Sequence, residues 1–152
     1  MIFTTEVGPV TIGYRNDTLI CEFGKVQVDK DPSKTLANQL TKYLAGEKVA
    51  LFKAPLPSGP PFTQRCWEAC RAIPYGETIT YAQLAKRAGS PKAMRAAGQA
   101  MRNNPLTIIT PCHRVIASSG ALHGYSGSTN PNSKQLRRKK YLLELEQRII
   151  ST

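Results

Sequence analysis

The sequence predicts an α+β fold: a small N-terminal α/β domain with an antiparallel sheet, then a mainly helical C-terminal domain containing a helix-turn-helix. Three observations predict it. Apolar and polar residues alternate with period two only near the start of the chain, through Val10, Ile12 and Tyr14 and again through Leu19, Cys21 and Phe23. The apolar period turns helical beyond KAPLPSGPPFT, which holds four prolines and a glycine between Ala54 and Thr63. Further on, two short helical stretches meet at Gly89. The expected division is 1–54, a proline-rich linker at 55–61, and 62–152.

In chain order, Arg15, Asn16 and Asp17 form the turn of an antiparallel hairpin. After Pro32, Leu36, Leu40, Tyr43 and Leu44 recur at helical spacing, and Gly46 can stop that helix. Cys21 reads as a core residue. Past the linker, Thr63 caps a helix whose Cys66, Cys70 and Ile73 share one face, ended by Pro74-Tyr75-Gly76. Cys66 and Cys70 have half of a metal-ligand pattern, but His113 and His123 are the only histidines and no second cysteine pair exists, so a packed helix face is expected and no metal.

Thr80 and Gln83 have capping-box spacing, which predicts a short helix to Ala88 with Gly89 closing it in the left-handed conformation. Ser90 then caps and Pro91 opens a second helix through Arg102. Met94, Ala97 and Met101 fall on its inner face, and Lys92, Arg95, Gln99 and Arg102 on the opposite one. Ala96, Gly98 and Ala100 leave the surface beside that basic stripe nearly flat, with little to read base edges. The alternative reading is a tightly packed alanine-rich core helix.

The chain has 152 residues, enough for one ordinary domain or two small ones, and its Lys+Arg count of 21 against Asp+Glu 10 gives a formal net charge of +11. Such an excess attracts polyanions, nucleic acid first, because each neutralised phosphate releases counterions. No apolar run approaches the roughly 18 residues of a membrane span, and MIFTTEVGPV lacks the regions of a signal peptide. An intracellular protein with free thiols and no membrane partner is expected.

The chemistry concentrates at IITPCHRVI. Leu106 to Thr110 reads as a buried strand that Pro111 ends, setting Cys112 at a rigid corner beside His113. A thiol of reference pKa about 8.5 needs a neighbouring base, cation or helix N-terminus to be nucleophilic at neutral pH. Adjacent side chains often diverge, so the proton would pass through a water, and a carboxylate would hold the imidazole tautomer. A last helix begins near Ser133, with Leu142, Leu145 and Ile149 as its buried face. Its acids are Glu144 and Glu146; Glu146, at the apolar edge, is expected to turn inward and Glu144 to stay exposed. The basic segment Lys134 to Lys140 reads as a solvated face, a phosphate-binding surface or an import signal.

PCHRVI at Pro111–Ile116, GYSG at Gly124–Gly127, ITYAQLA at Ile79–Ala85, GSPKAMRAAGQAMRNNP at Gly89–Pro105 and LLELE at Leu142–Glu146 together resemble the O6-alkylguanine-DNA alkyltransferases. The resemblance is strong over 62–147 and loose before it. It implies a monomeric, cofactor-free repair protein that flips a damaged base from double-stranded DNA and moves the alkyl group of guanine O6, or of thymine O4, irreversibly to Cys112. His113 would act as the base through water and Glu146 would orient it. Asn104 would brace the turn leading to the site, and Tyr81 would give a proton or hydrogen bond to the leaving guanine. Backbone groups of Cys112, Val115 and Ser126 would bind the base, walled by Met101 and Tyr125. Arg95 would fill the space of the flipped base while Lys92, Ala96, Gln99 and Arg102 meet the minor groove. The protein would be cytoplasmic in a prokaryote and nuclear in a eukaryote.

The chain departs from that family's pattern in three ways: a longer segment between Ser126 and Glu146, Thr107 where some members carry a pocket proline, and no ligands for the N-terminal zinc of some relatives. Three other readings stay open. They are a lesion-binding protein that transfers nothing, a helix-turn-helix regulator with Cys112 in its core, and a cysteine hydrolase.

Overall fold

The computed structural model describes residues 1–119 and 133–148 and the backbone of 149–151. Its first unit is an antiparallel sheet of β1 (Ile2–Thr5), β2 (Gly8–Arg15) and β3 (Thr18–Phe23), in that spatial order. The expected hairpin is β2–β3, in register Ile12↔Cys21 and Arg15↔Thr18. Its turn is the pair Asn16 and Asp17, both left-handed at φ 52 and 62, as a two-residue hairpin turn requires and as these side chains tolerate. The added strand β1 pairs Phe3 with Val10; its short Ile-Phe-Thr-Thr run carries too little alternation to stand out in the sequence.

Helix α1 (Lys34–Leu44) starts at Ser33, whose hydroxyl accepts from the Leu36 amide at 3.1 Å, and buries Leu36, Ala37, Leu40 and Tyr43. Helix α2 (Pro61–Arg71) begins three residues earlier than the Thr63 cap implied, with Pro60 in the cap position. Pro61 sits at the first helical position, where its fixed φ suits the helix and its missing N–H costs nothing. The segment before it is tied to α2: Arg71 donates to the carbonyls of Ala54 and Pro55 at 2.8 and 2.9 Å, and Gln64 to that of Pro57 at 2.8 Å.

Thr80 and Gln83 form the expected capping box at the start of α3 (Tyr81–Arg87), and Gly89 takes φ 93 just after it. Helix α4 (Met94–Arg102) starts later than Ser90-Pro91 suggested. The Ala93 amide closes a single turn onto Ser90 O at 2.9 Å, but Ala93 itself lies outside helical dihedrals at φ −97 and ψ 37, so Lys92 belongs to the turn. Two inner-face assignments change with it. Met94, now the first helical residue with no core above it, is 53% exposed, whereas Ala100 is buried beneath Trp67, whose indole N–H donates to its carbonyl at 2.9 Å.

Leu106 to Thr110 is a turn, not the expected strand. Asn104 brackets it, its Nδ2 donating to Thr110 O at 2.8 Å and its Oδ1 accepting from Leu106 N at 2.9 Å. That closure drives Ile108 to φ 74, a strained value for a β-branched residue. Only Leu106 keeps strand character, bridging Cys21. Cys112–Arg114 form a 3₁₀ turn, followed by β5 (Val115–Ile116), which pairs in parallel with β4 (Ile79–Thr80). Helix α5 (Lys134–Ser151) is capped by Ser133, whose hydroxyl accepts from Leu136 N at 3.2 Å.

One apolar cluster joins Val10, Ile12, Leu40 and Tyr43 to Ile108, Ile109, Leu142 and Leu145. A second joins Cys66, Trp67 and Cys70 of α2 to Leu84, Ala97, Met101, Cys112 and Val115. Each fully buried leucine or isoleucine contributes about 1.5–3 kcal/mol. The 3₁₀ turn is anchored where the two clusters meet. Burial raises the Cys70 thiol well above its ordinary pKa and lifts Cys21 to about 12, as packed core thiols should be. No helix among the described residues is long and apolar enough to cross a membrane, and none of their side chains cluster as metal ligands.

Candidate active site

Helix α4 ends at Asn103, and the Asn104 bracket then turns the chain toward Pro111, which introduces Cys112 and His113 as consecutive residues of the 3₁₀ turn. The Cys112 amide donates to Thr110 O at 2.7 Å, and that of Arg114 to Pro111 O at 2.8 Å, so the thiol's backbone is held on both sides. Cys112 keeps 6% exposure while His113 has none. The β4–β5 pairing sets Val115 beside Ile79, two residues before Tyr81, which brings the α3 N-terminus to the thiol. Burial, reinforced by Cys112 and Cys70, pushes the Tyr81 phenol up to about 12, so it stays protonated as a hydrogen-bond donor at neutral pH.

Behind the thiol, five donors surround the Glu146 carboxylate. Its Oε2 lies 2.6 Å from His113 Nε2, 2.6 Å from the Tyr43 hydroxyl and 3.0 Å from an Arg114 terminal nitrogen. Its Oε1 accepts from Arg114 Nε at 2.9 Å and from the Gly76 amide at 3.0 Å. Arg114 thus grips the carboxylate with both arms of its fork, while its third nitrogen donates to Ile73 O at 2.8 Å. Glu146 is 1% exposed, whereas Glu144 lies on the solvent face opposite Lys140.

The charges follow from this packing. Burial alone would raise the Glu146 pKa, but the hydrogen bonds and charges of His113 and Arg114 outweigh it and hold the carboxyl well below the ordinary range. His113 is lowered: burial dominates, Glu146 pulls the other way, and Arg114 and Lys139 add to the lowering. The imidazole is therefore neutral at pH 7. A carboxylate only accepts, so Nε2 carries the hydrogen and Nδ1 the lone pair. Nδ1 is buried and has no hydrogen-bond partner among the described residues.

Lys139 is buried too, donating to Val115 O at 2.7 Å with its ammonium 5.8 Å from the Tyr81 ring centre. Burial lowers it to about 8, and the charge of Cys112 draws it back up. An ammonium that feels the sulfur favours negative charge there. Val115, expected to accept from the base through its backbone, already has one carbonyl lone pair engaged by this lysine.

On the outer face of α4 and the turn before it, Lys92, Arg95, Ala96, Gln99 and Arg102 are all exposed. A cleft of about 460 Å³ runs between this helix and the start of α3, lined by Tyr81, Met94, Arg95, Gly98, Gln99 and Ser118 among others. A methyl group on Gly98 would meet nothing within 4 Å, so internal packing does not require this glycine; its effect is to keep the cleft wall low. Met101 is buried in the second cluster, on the inner side of that wall. Tyr125 and Ser126, assigned to the base pocket from the resemblance, lie outside the described residues.

The sequence reading missed Tyr43, Arg114 and Lys139 as parts of this site. Arg114 stood in the quoted motif without a role. Lys139 had a signal: it lies three residues from both Leu136 and Leu142 on the inward stripe of α5. Tyr43 had none beyond its apolar spacing in α1.

Comparison with known proteins gives the family of the chain. The family described as "6-O-methylguanine DNA methyltransferase, DNA binding domain" matches residues 61–148. A Bacillus subtilis protein named constitutive methylated-DNA–protein-cysteine methyltransferase is 53% identical over 91 residues, 59% of this chain and 54% of that one. A Methanosarcina acetivorans methylated-DNA–protein-cysteine methyltransferase is 37% identical over 156 residues, covering 95% of this chain and 96% of its own. The Mycobacterium tuberculosis OGT solved in complex with DNA superposes with a TM-score of 0.78 at 37% identity, over 97% of this chain and 91% of that one. On the extent of these matches, the chain belongs to the 6-O-methylguanine DNA methyltransferase family.

Proposed function

We propose that this chain repairs DNA directly, by transferring an alkyl group from O6 of a guanine turned out of the duplex to Cys112. The observation that carries the reading is the His113–Glu146 pair behind the thiol, with Nε2–H spent on the carboxylate and Nδ1 left as the base. The names of the full-length relatives and the DNA-bound structure of one of them support the same chemistry.

The step balances without a cofactor. The Cys112 proton passes to His113 Nδ1, through a water where the side chains diverge, and the resulting imidazolium is stabilised by Glu146. The thiolate, favoured by Lys139, attacks the alkyl carbon; the S–C bond forms as the C–O6 bond breaks, and the electron pair moves into the guanine ring. Tyr81 donates to the ring as it gains negative charge. The product thioether has no electrophilic carbonyl for water to attack, so each molecule acts once. Residues 62–152 carry this chemistry, and the low-walled α4 lies in the minor groove, about 6 Å wide, where small side chains fit and sequence is barely read. As the relatives are bacterial and archaeal, the work is done in the cytoplasm, on double-stranded DNA.

Intact mass tests the reading. Incubated with a duplex containing O6-methylguanine, the protein should gain one methyl group, mapped to the peptide of Cys112, with the yield capped at one lesion per molecule. Repair of lesions in molar excess over protein, or an unmodified Cys112, would overturn it. A second outcome concerns Arg95, exposed at the cleft edge. Arg95→Ala should slow transfer about tenfold or more, because base extrusion costs a few kcal/mol that an inserted side chain offsets. Fluorescence of a base analogue at the lesion would report extrusion separately from affinity for undamaged duplex. Equal losses in both would remove Arg95 from that role.

A further inference from the structure

Tyr43 lies in the N-terminal half, 103 residues from the carboxylate it binds, and is fully buried. Its ring packs against Phe52 and Tyr75, with centroids 5.8 and 6.0 Å away, so the phenol has a fixed direction. That direction ends on Glu146 Oε2 at 2.6 Å, with His113 Nε2 only 3.3 Å off. We propose that Tyr43 is a positioning residue of the transfer site: its hydroxyl occupies one lone pair of Glu146 Oε2 and limits how strongly that carboxylate draws a proton onto His113. The N-terminal half thereby sets the strength of the base used by the C-terminal half.

The physical argument rests on competition for one oxygen. Oε2 receives three donors, from Tyr43, His113 and Arg114, and each added donor withdraws charge that the others would otherwise feel. The phenol cannot relieve this by ionising, because burial and the facing carboxylate raise its pKa well above the ordinary value. The groups facing the pair from every side are Arg114 in the 3₁₀ turn, which already spans both carboxylate oxygens, Lys139 on α5, which donates to Val115 O, and Tyr75 beside the Gly76 amide, whose buried hydroxyl makes no hydrogen bond among the described residues, so Tyr43 is the phenol that reaches Oε2. Removing the hydroxyl should leave Glu146 more attractive to an imidazolium and His113 more basic.

Tyr43→Phe keeps the ring and removes only the donor. The chain has two histidines, so the imidazole titrations can be followed by NMR and His113 identified with a His123→Gln companion. The His113 titration should move up by about 0.5–1 pH unit, and the acid limb of the single-turnover transfer rate should move with it, while affinity for undamaged DNA is unchanged. A His113 titration that stays in place or moves down would overturn the proposal, as would normalised pH–rate profiles that superimpose; a lowered melting temperature alone would mark Tyr43 as structural. The rate arm rests on the alkyl-transfer reading. The NMR arm does not, so failure of the one can be told from failure of the other.

Discussion

Cys112→Ser is expected to slow alkyl transfer by about three to four orders of magnitude while leaving fold and affinity for lesion-bearing duplex unchanged. The exchange is nearly isosteric at a site with 6% exposure, and it alters no described hydrogen bond of His113 or Glu146. What changes is acidity. A hydroxyl with a pKa near that of water, about 15.7, is roughly seven units weaker an acid than a thiol at about 8.5. At a given pH the ionised fraction falls by about seven decades, of which the greater basicity of an alkoxide recovers about half at a Brønsted slope of 0.4–0.5. Single-turnover quench experiments give the rate, and fluorescence anisotropy the affinity. Transfer at close to the parental rate, with the alkyl group found elsewhere, would remove Cys112 from the chemistry. A parental protein that bound the lesion but remained unalkylated would instead favour the lesion-binding reading.

Features legible in the sequence were those whose cause is local. The capping box needs only Thr80 and Gln83, and Glu146 lies three residues from Leu143 and four from Leu142, at the apolar edge of α5 from which it turns inward. Errors arose where a local pattern was satisfied and something distant decided. Ser90-Pro91 has the chemistry of a helix start, yet the chain closes a single turn there and α4 waits for Met94. Leu106 to Thr110 has the composition of a strand, but the Asn104 bracket and the pairing of Leu106 with Cys21 bend it into a turn with Ile108 strained. Strands β4 and β5 are two residues each, too short for any period to show, although they bring Tyr81 to the thiol. Tyr43 was beyond reach for a different reason: its spacing marks it as a core residue, and nothing in α1 says that the core it enters contains a carboxylate.

Glu146→Gln should be the most damaging change to stability. Arg114 faces both carboxylate oxygens, through Nε on one and a terminal nitrogen on the other, so whichever way the glutamine amide is turned, its NH₂ meets a guanidinium donor. Tyr43 can rotate to accept and His113 can change tautomer, but Arg114 can do neither. Removing one partner of a buried ion pair costs about 3–5 kcal/mol, which for a chain of this size lowers the melting temperature by roughly 10 °C. The tautomer change has its own consequence, since a hydrogen moved to Nδ1 disables the base, and transfer should fall by about two to four orders of magnitude. The pH dependence separates the two carboxyl states. Glu146 is more acidic folded than unfolded, so its contribution is complete above about pH 4.3 and is lost as pH falls from there toward the lower folded value. His113, less basic folded than unfolded, withdraws stability as pH falls below about 6.5. The native protein should therefore weaken from about pH 6.5 downward and more steeply below about 4.3, and the gap between it and Glu146→Gln should narrow in that lower range. Thermal unfolding followed by circular dichroism across pH 3–8 measures this directly. Parallel curves with a constant gap would mean that Glu146 is not the ionised partner of Arg114.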